Sequence, residues 1–123
     1  VDIAYDVQPT DVNRVEENDD LILLRDMNLS TTYIGFNVMK APYDNVKVRQ
    51  AINYAVNMEA IVNAVYLGAG SPSKGPLGPN VWASNQDLEP YGYDVEKAKE
   101  LMAEAGYADG FSTTIWTKEN QHH

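Results

Sequence analysis

Cysteine is absent from this chain. Disulfides, thiolate metal sites and cysteine nucleophiles are therefore excluded. Histidine occurs only as His122 and His123, at the very end. Two terminal histidines without a third ligand seldom hold a metal, so no metal site is expected, and both are too exposed to serve a Ser-His-Asp arrangement. Positive charge is scarce: 9 Lys and Arg stand against 18 Asp and Glu, a net charge of −9. Nucleic acid and anionic membrane surfaces need clustered Lys and Arg, so neither is expected as a partner. The acidity is read as a solubilising surface. No apolar run is long enough to cross a bilayer. At 123 residues the chain can bury one modest core and forms one domain at most.

Catalytic motifs are missing as well. Gly70-Ser71-Pro72-Ser73-Lys74-Gly75 has the glycines of a phosphate loop. It lacks the Gly-Lys-Ser/Thr ending, follows a predicted helix instead of a strand, and contains Pro72, which removes a backbone donor. Glu16, Glu17, Asp19 and Asp20 offer paired carboxylates, the currency of glycoside hydrolysis. They form a solvated charge run with nothing apolar beside them to raise a pKa. No catalytic residue and no cofactor is assigned, and the chain is not read as an enzyme.

What is present is a regular order of elements, β-α-β-β-α-loop-α-β. Residues 2–6 read as a short strand, and Pro9-Thr10-Asp11 opens a helix carrying Val12 and Val15. Leu21-Ile22-Leu23-Leu24 is a continuous apolar run, as in a strand covered on both faces. Residues 32–38 alternate, with Ile34, Phe36 and Val38 on one face and Tyr33, Gly35 and Asn37 on the other. Val48, Ile52, Ala55, Val56, Val62 and Val65 recur near helical period and predict one long helix from Asn45. Val95, Ala98, Leu101, Met102 and Ala105 predict a second, with Asp94 as its N-cap and Gly106 as its left-handed C′ residue. Residues 112–117 form a last β-branched run around Ile115 and Trp116. The expected fold is α/β, a mixed sheet with helices packed on it.

That order resembles the extracytoplasmic solute-binding proteins, family 5, which feed oligopeptide, dipeptide and nickel ABC importers. The resemblance is carried by Val1-Asp2-Ile3-Ala4-Tyr5, by Tyr33-Ile34-Gly35-Phe36-Asn37, and by Lys40-Ala41-Pro42-Tyr43-Asp44-Asn45-Val46-Lys47-Val48-Arg49-Gln50-Ala51. Gly75-Pro76-Leu77-Gly78-Pro79 and the run from Tyr93-Asp94-Val95 to Ala105-Gly106-Tyr107 complete it. Asn57 departs from the family's usual Asp. The resemblance implies that residues 1–123 are a single partial domain, a second-lobe piece of a two-lobe protein with the type II periplasmic-binding-protein fold. It implies a peptide ligand held in an interlobe cleft, delivery to an ABC permease, and a periplasmic or surface-anchored location. Relatives with nickel chelates, sugars or opines are the alternative, as is a non-catalytic interaction or dimerisation module. The chain begins at Val1, without an initiator Met, a signal peptide or a lipobox Cys.

Four residues are the candidate ligand contacts. The resemblance places the strand of Tyr33 and Gly35 along the cleft, with both residues at positions that meet bound peptide. A glycine in mid-strand also leaves room for a ligand or another backbone. Tyr66 falls where some oligopeptide binders place a Lys that meets a peptide carboxylate, and offers a hydroxyl and a stacking face in its place. The bland reading packs it against its helix end. Trp82 lies in residues 68–89, a loop too long to be a plain connection, and either anchors that loop to the core or faces the cleft. Asn37 is expected to tie down the loop after it. Arg49, in the first turns of its helix, is expected to turn away from the positive helix end and pair with a distant carboxylate. The last strand, with nothing after it, is expected to be a bare edge and to pair two copies of the chain as a homodimer.

Overall fold

The computed structural model describes residues 2–27 and 29–117. His122 and His123 lie outside the described residues, as does Val1. Among the described residues four helices form: α1 (Val12–Glu16), α2 (Val46–Ala55), α3 (Met58–Val65) and α4 (Val95–Glu104). None is long and apolar enough to cross a membrane.

The core lies between α2 and α4. Ala51, Ala98 and Leu101 are buried together, and Tyr54 and Met102 pack against them. Val48, one turn before Ala51, is fully enclosed. Small residues at 51 and 98 let the two helices approach closely, and Leu101 supplies the bulk between them. The helices run antiparallel. Lys47 near the start of α2 meets Glu104 at the end of α4 (3.0 Å), and the Asp94 amide before α4 donates to the Tyr54 carbonyl (2.9 Å). The Tyr54 ring meets Tyr91 edge-on at 5.2 Å. The hydrogen bond from the Lys47 ammonium, and then its charge, hold Glu104 below its ordinary value. The pair's contribution is therefore present above the ordinary carboxylate pKa and is lost as pH falls through the lowered one. Both side chains are exposed, so that contribution is small.

Local chemistry sets both ends of α4. The Asp94 carboxylate accepts from the Lys97 amide (2.9 Å), the N-cap expected from sequence. At the other end Gly106 takes φ +85°. Its amide donates to Ala103 (3.0 Å) and the Tyr107 amide to Met102 (2.8 Å), which closes the helix in a Schellman motif. Asp94→Ala is expected to destabilise by about 1 kcal/mol. Urea unfolding followed by circular dichroism checks this, and Asp94→Asn should lose much less.

One expectation is corrected here. The long helix from Asn45 is two helices. Val56 adopts an extended conformation (φ −95°, ψ 116°), and Asn57 restarts the chain by accepting from the Ala60 amide (2.9 Å). The apolar period runs through the break, but an Asx N-cap competes with helix continuation.

The mixed sheet itself is not shown. No strand forms among the described residues, and 2–6, 21–24, 32–37 and 112–117 carry no regular structure. Alternation and β-branching mark segments fit for a sheet, but a strand exists only where a neighbour supplies ladder hydrogen bonds. The apolar run expected to be covered on both faces is open: Leu21, Ile22 and Leu24 are exposed, as are Ile34, Val38, Ile115 and Trp116.

Candidate functional site

Residues 32–38 are held by side chains. Phe36, their half-buried member, stacks on Tyr43 (centroids 5.2 Å, 25° between planes). Tyr43 meets Phe111 edge-on at 5.8 Å, and Phe111 meets Tyr107 at 5.5 Å. The Tyr43 hydroxyl lies 2.7 Å from Thr113 Oγ1. This ladder joins the segment to the start of α2 and to the chain after α4. It was missed in the sequence, where Phe36 belongs to the alternating run but Tyr43, Tyr107 and Phe111 stand outside every periodic run. Their placement at helix boundaries, Tyr43 before the Asn45 cap and Tyr107 after Gly106, is the signal that marks them.

Arg49 points back to the same junction. Its Nη1 donates to the carbonyls of Tyr43 (2.6 Å) and Asp44 (3.1 Å). This corrects the expected carboxylate partner. The guanidinium lies at the start of α2, where the two carbonyls just before the helix offset the positive end of its dipole. Arg49→Ala is expected to destabilise by about 1.5–3 kcal/mol, the range for hydrogen bonds to a charged group. Arg49→Lys should recover less than half, because the shorter lysine does not bring its ammonium to the position of Nη1. Thermal unfolding of the three proteins decides.

Tyr33 is 78% exposed. Gly35 is open: a Cβ there would touch only the Tyr33 ring, at 3.8 Å. Nothing in this chain demands glycine at 35, so its lack of a side chain leaves space beside Tyr33. Asn37 does what was expected of it. Its side chain accepts from the Met39 amide (3.1 Å), and its carbonyl from the Lys40 amide (3.1 Å).

Tyr66 caps the end of α3. Its hydroxyl lies 3.5 Å from Thr32 Oγ1, next to Tyr33, so residues 34 apart in sequence are brought together. A Cβ at Gly70 would sit 3.9 Å from Tyr66 Cβ and Cγ, so the following loop folds back on the ring. Beside it is an open depression of about 240 Å³ lined by Glu59, Val62, Asn63, Gly68, Gly70, Ser71 and Pro72. The long loop has a second tie, from Asn80 Nδ2 to the Met27 carbonyl (3.2 Å). Trp82, two residues on, is 93% exposed and anchors nothing. Tyr33, Gly35 and Tyr66 thus share one region, and the loop bearing Trp82 is tied to residue 27 of the same stretch. None of the four side chains carries a charge. Among the described residues no group of three metal-ligating side chains comes together.

The whole pattern has relatives. Residues 1–122 match the family described as bacterial extracellular solute-binding proteins, family 5 Middle. The chain belongs to this family. Among similar proteins of family 5, heme-binding protein A of Haemophilus influenzae is 51% identical over 106 residues, covering 86% of this chain and 19% of that protein. The dipeptide-binding protein of Escherichia coli is 45% identical over 108 residues, 88% of this chain and 20% of that one. In three dimensions the chain resembles the ABC transporter-associated periplasmic binding protein DppA from Helicobacter pylori, solved in complex with the peptide STSA. The TM-score is 0.74 and the identity 31%, over 84% of this chain and 20% of that one. The chain thus spans about a fifth of the length of the curated relatives it matches. Its structural neighbours have the type II periplasmic-binding-protein fold.

Proposed function

We propose that this chain is a single partial domain, a piece of the second lobe of the substrate-binding subunit of an ABC importer. It supplies part of one wall of an interlobe cleft that binds peptide for delivery to a permease. The observation that carries this reading is the convergence of Tyr33, Gly35 and Tyr66 on one open region, through the contact between Thr32 and Tyr66, in a chain of family 5. Residues 2–6, 21–24, 32–38 and 112–117 become strands of a mixed sheet when neighbouring strands supply the ladder. The neutral site fits a ligand gripped through its backbone. An exposed tyrosine and a glycine without a side chain leave amides of an extended peptide free to approach, and Trp82 adds a stacking face. Binding involves no catalytic step. The location is extracytoplasmic, as the family's description supports. A homodimer is no part of the proposal, because the relatives lend it no support.

The relative with 51% identity favours a second ligand class, haem. Exposed Tyr33 and Trp82 would offer flat faces to a porphyrin as readily as to a peptide side chain. Metal chelates are a third class, since the chain resembles NikA from Brucella suis, solved in complex with Fe(III)-EDTA (TM-score 0.72, 26% identity); sugars and opines have no such observation behind them.

Tyr33→Ala and Trp82→Ala in the whole protein test the wall. Each should weaken dipeptide or tetrapeptide binding about tenfold, roughly 1.4 kcal/mol, with an unchanged melting temperature. Unchanged affinity in both would remove this chain from the site. A haem titration under the same conditions separates the ligand classes.

A further inference from the structure

We infer that Tyr43 is a positioning residue for ligand recognition, one that fixes how the segment bearing Tyr33 and Gly35 is presented. This rests on the peptide-binding reading above. Tyr43 is held on three sides. Its carbonyl accepts from Arg49 (2.6 Å), its hydroxyl pairs with Thr113 (2.7 Å), and its ring meets the edge of Phe111 (5.8 Å). The remaining face of the ring carries Phe36.

Phe36 adjoins Gly35 and is half-buried, while Tyr33, Ile34, Gly35, Asn37 and Val38 are all exposed. The stack therefore anchors the middle of a segment that has no ladder of its own among the described residues. The other tie, between Thr32 and Tyr66 at 3.5 Å, is long for a hydroxyl pair. A segment held by one ring is sensitive to register: a shift by one residue puts Gly35 or Asn37 where Phe36 belongs and turns Tyr33 to the opposite face. Stacked rings are also selective in geometry, so an aliphatic side chain of similar bulk fills the space without fixing the angle. The path runs from Tyr43 through Phe36 to the backbone at Gly35.

The test uses the whole protein as wild type, Tyr43→Leu, Tyr43→Phe and, for stability, Leu101→Ala. Calorimetry with a tetrapeptide reads affinity, and the amide chemical shifts of Tyr33, Ile34 and Gly35 read the segment without ligand. Tyr43→Leu should weaken binding about tenfold and move the three amides, while Tyr43→Phe stays within about twofold of wild type. Leu101→Ala should lower the melting temperature at least as much as Tyr43→Leu and leave both affinity and shifts in place. Unmoved amides in Tyr43→Leu, or no rescue by phenylalanine, would overturn the inference. So would an equal loss of affinity in Leu101→Ala. A wild type that binds no tetrapeptide defeats the peptide reading alone, and the amide shifts then decide the role of Tyr43.

Discussion

Leu101→Ala should raise the hydrogen-exchange rates of the α2 and α4 amides by about one and a half to three powers of ten, equivalent to about 2–4 kcal/mol. Leu101 is 8% exposed and fills the space between two helices whose other buried residues are Val48, Ala51 and Ala98, with Tyr54 and Met102 packed at the margin. Ala51 and Ala98 have no bulk with which to collapse into the vacated volume, and Val48 is already enclosed. The cavity term therefore adds fully to the lost transfer term. Ile61→Ala makes a similar deletion on α3, where the side chain is exposed. That variant should change protection by less than about 0.5 kcal/mol. Measured in the whole protein, the contrast locates the core. Equal effects at the two positions would show that burial between α2 and α4 does not hold this segment together.

The second large effect is on affinity. This 123-residue chain by itself should bind di- to pentapeptides at millimolar strength or weaker, and the whole protein at micromolar strength or better, a gap of about 4 kcal/mol. Ligand pockets enclose most of their ligand, typically in about 300–1,000 Å³. The depression beside Tyr66 is smaller and open, and Tyr33 and Trp82 stand in solvent. A wall with nothing opposite it buries one side of a peptide, and that peptide still loses its freedom on binding. Isothermal titration of both proteins with the same peptides measures the gap. Micromolar binding by this chain alone would mean that the site is complete within these residues.

Local features were legible in the sequence and distant pairings were not. Asp94 and Asn37 accept from amides within three residues, and Gly106 turns back to a carbonyl three residues before it, so spacing and residue type were enough to assign them. Asn57 was legible in principle, since an Asx followed by Glu59 starts a helix. The apolar period running through Val56 and Val62 hid the break. The strands are not shown for a different reason. Alternation from Tyr33 to Val38 shows which residues suit a sheet, but pairing depends on chain far away in sequence. Arg49 was expected to turn away from the start of its helix toward a distant carboxylate, yet it reaches back to the near carbonyls of Tyr43 and Asp44. In the candidate site, Tyr33, Gly35 and Tyr66 were picked out one at a time. The contact between Thr32 and Tyr66 and the ring ladder through Tyr43 are products of folding and leave no local pattern.

The most direct measurement of the central claim is a crystal structure of the whole protein with a bound tetrapeptide. The account predicts peptide backbone atoms within about 3.5 Å of the main chain at Tyr33 to Gly35, with the Tyr33 ring against a peptide side chain. A peptide seated elsewhere, with residues 32–38 facing solvent, would contradict it.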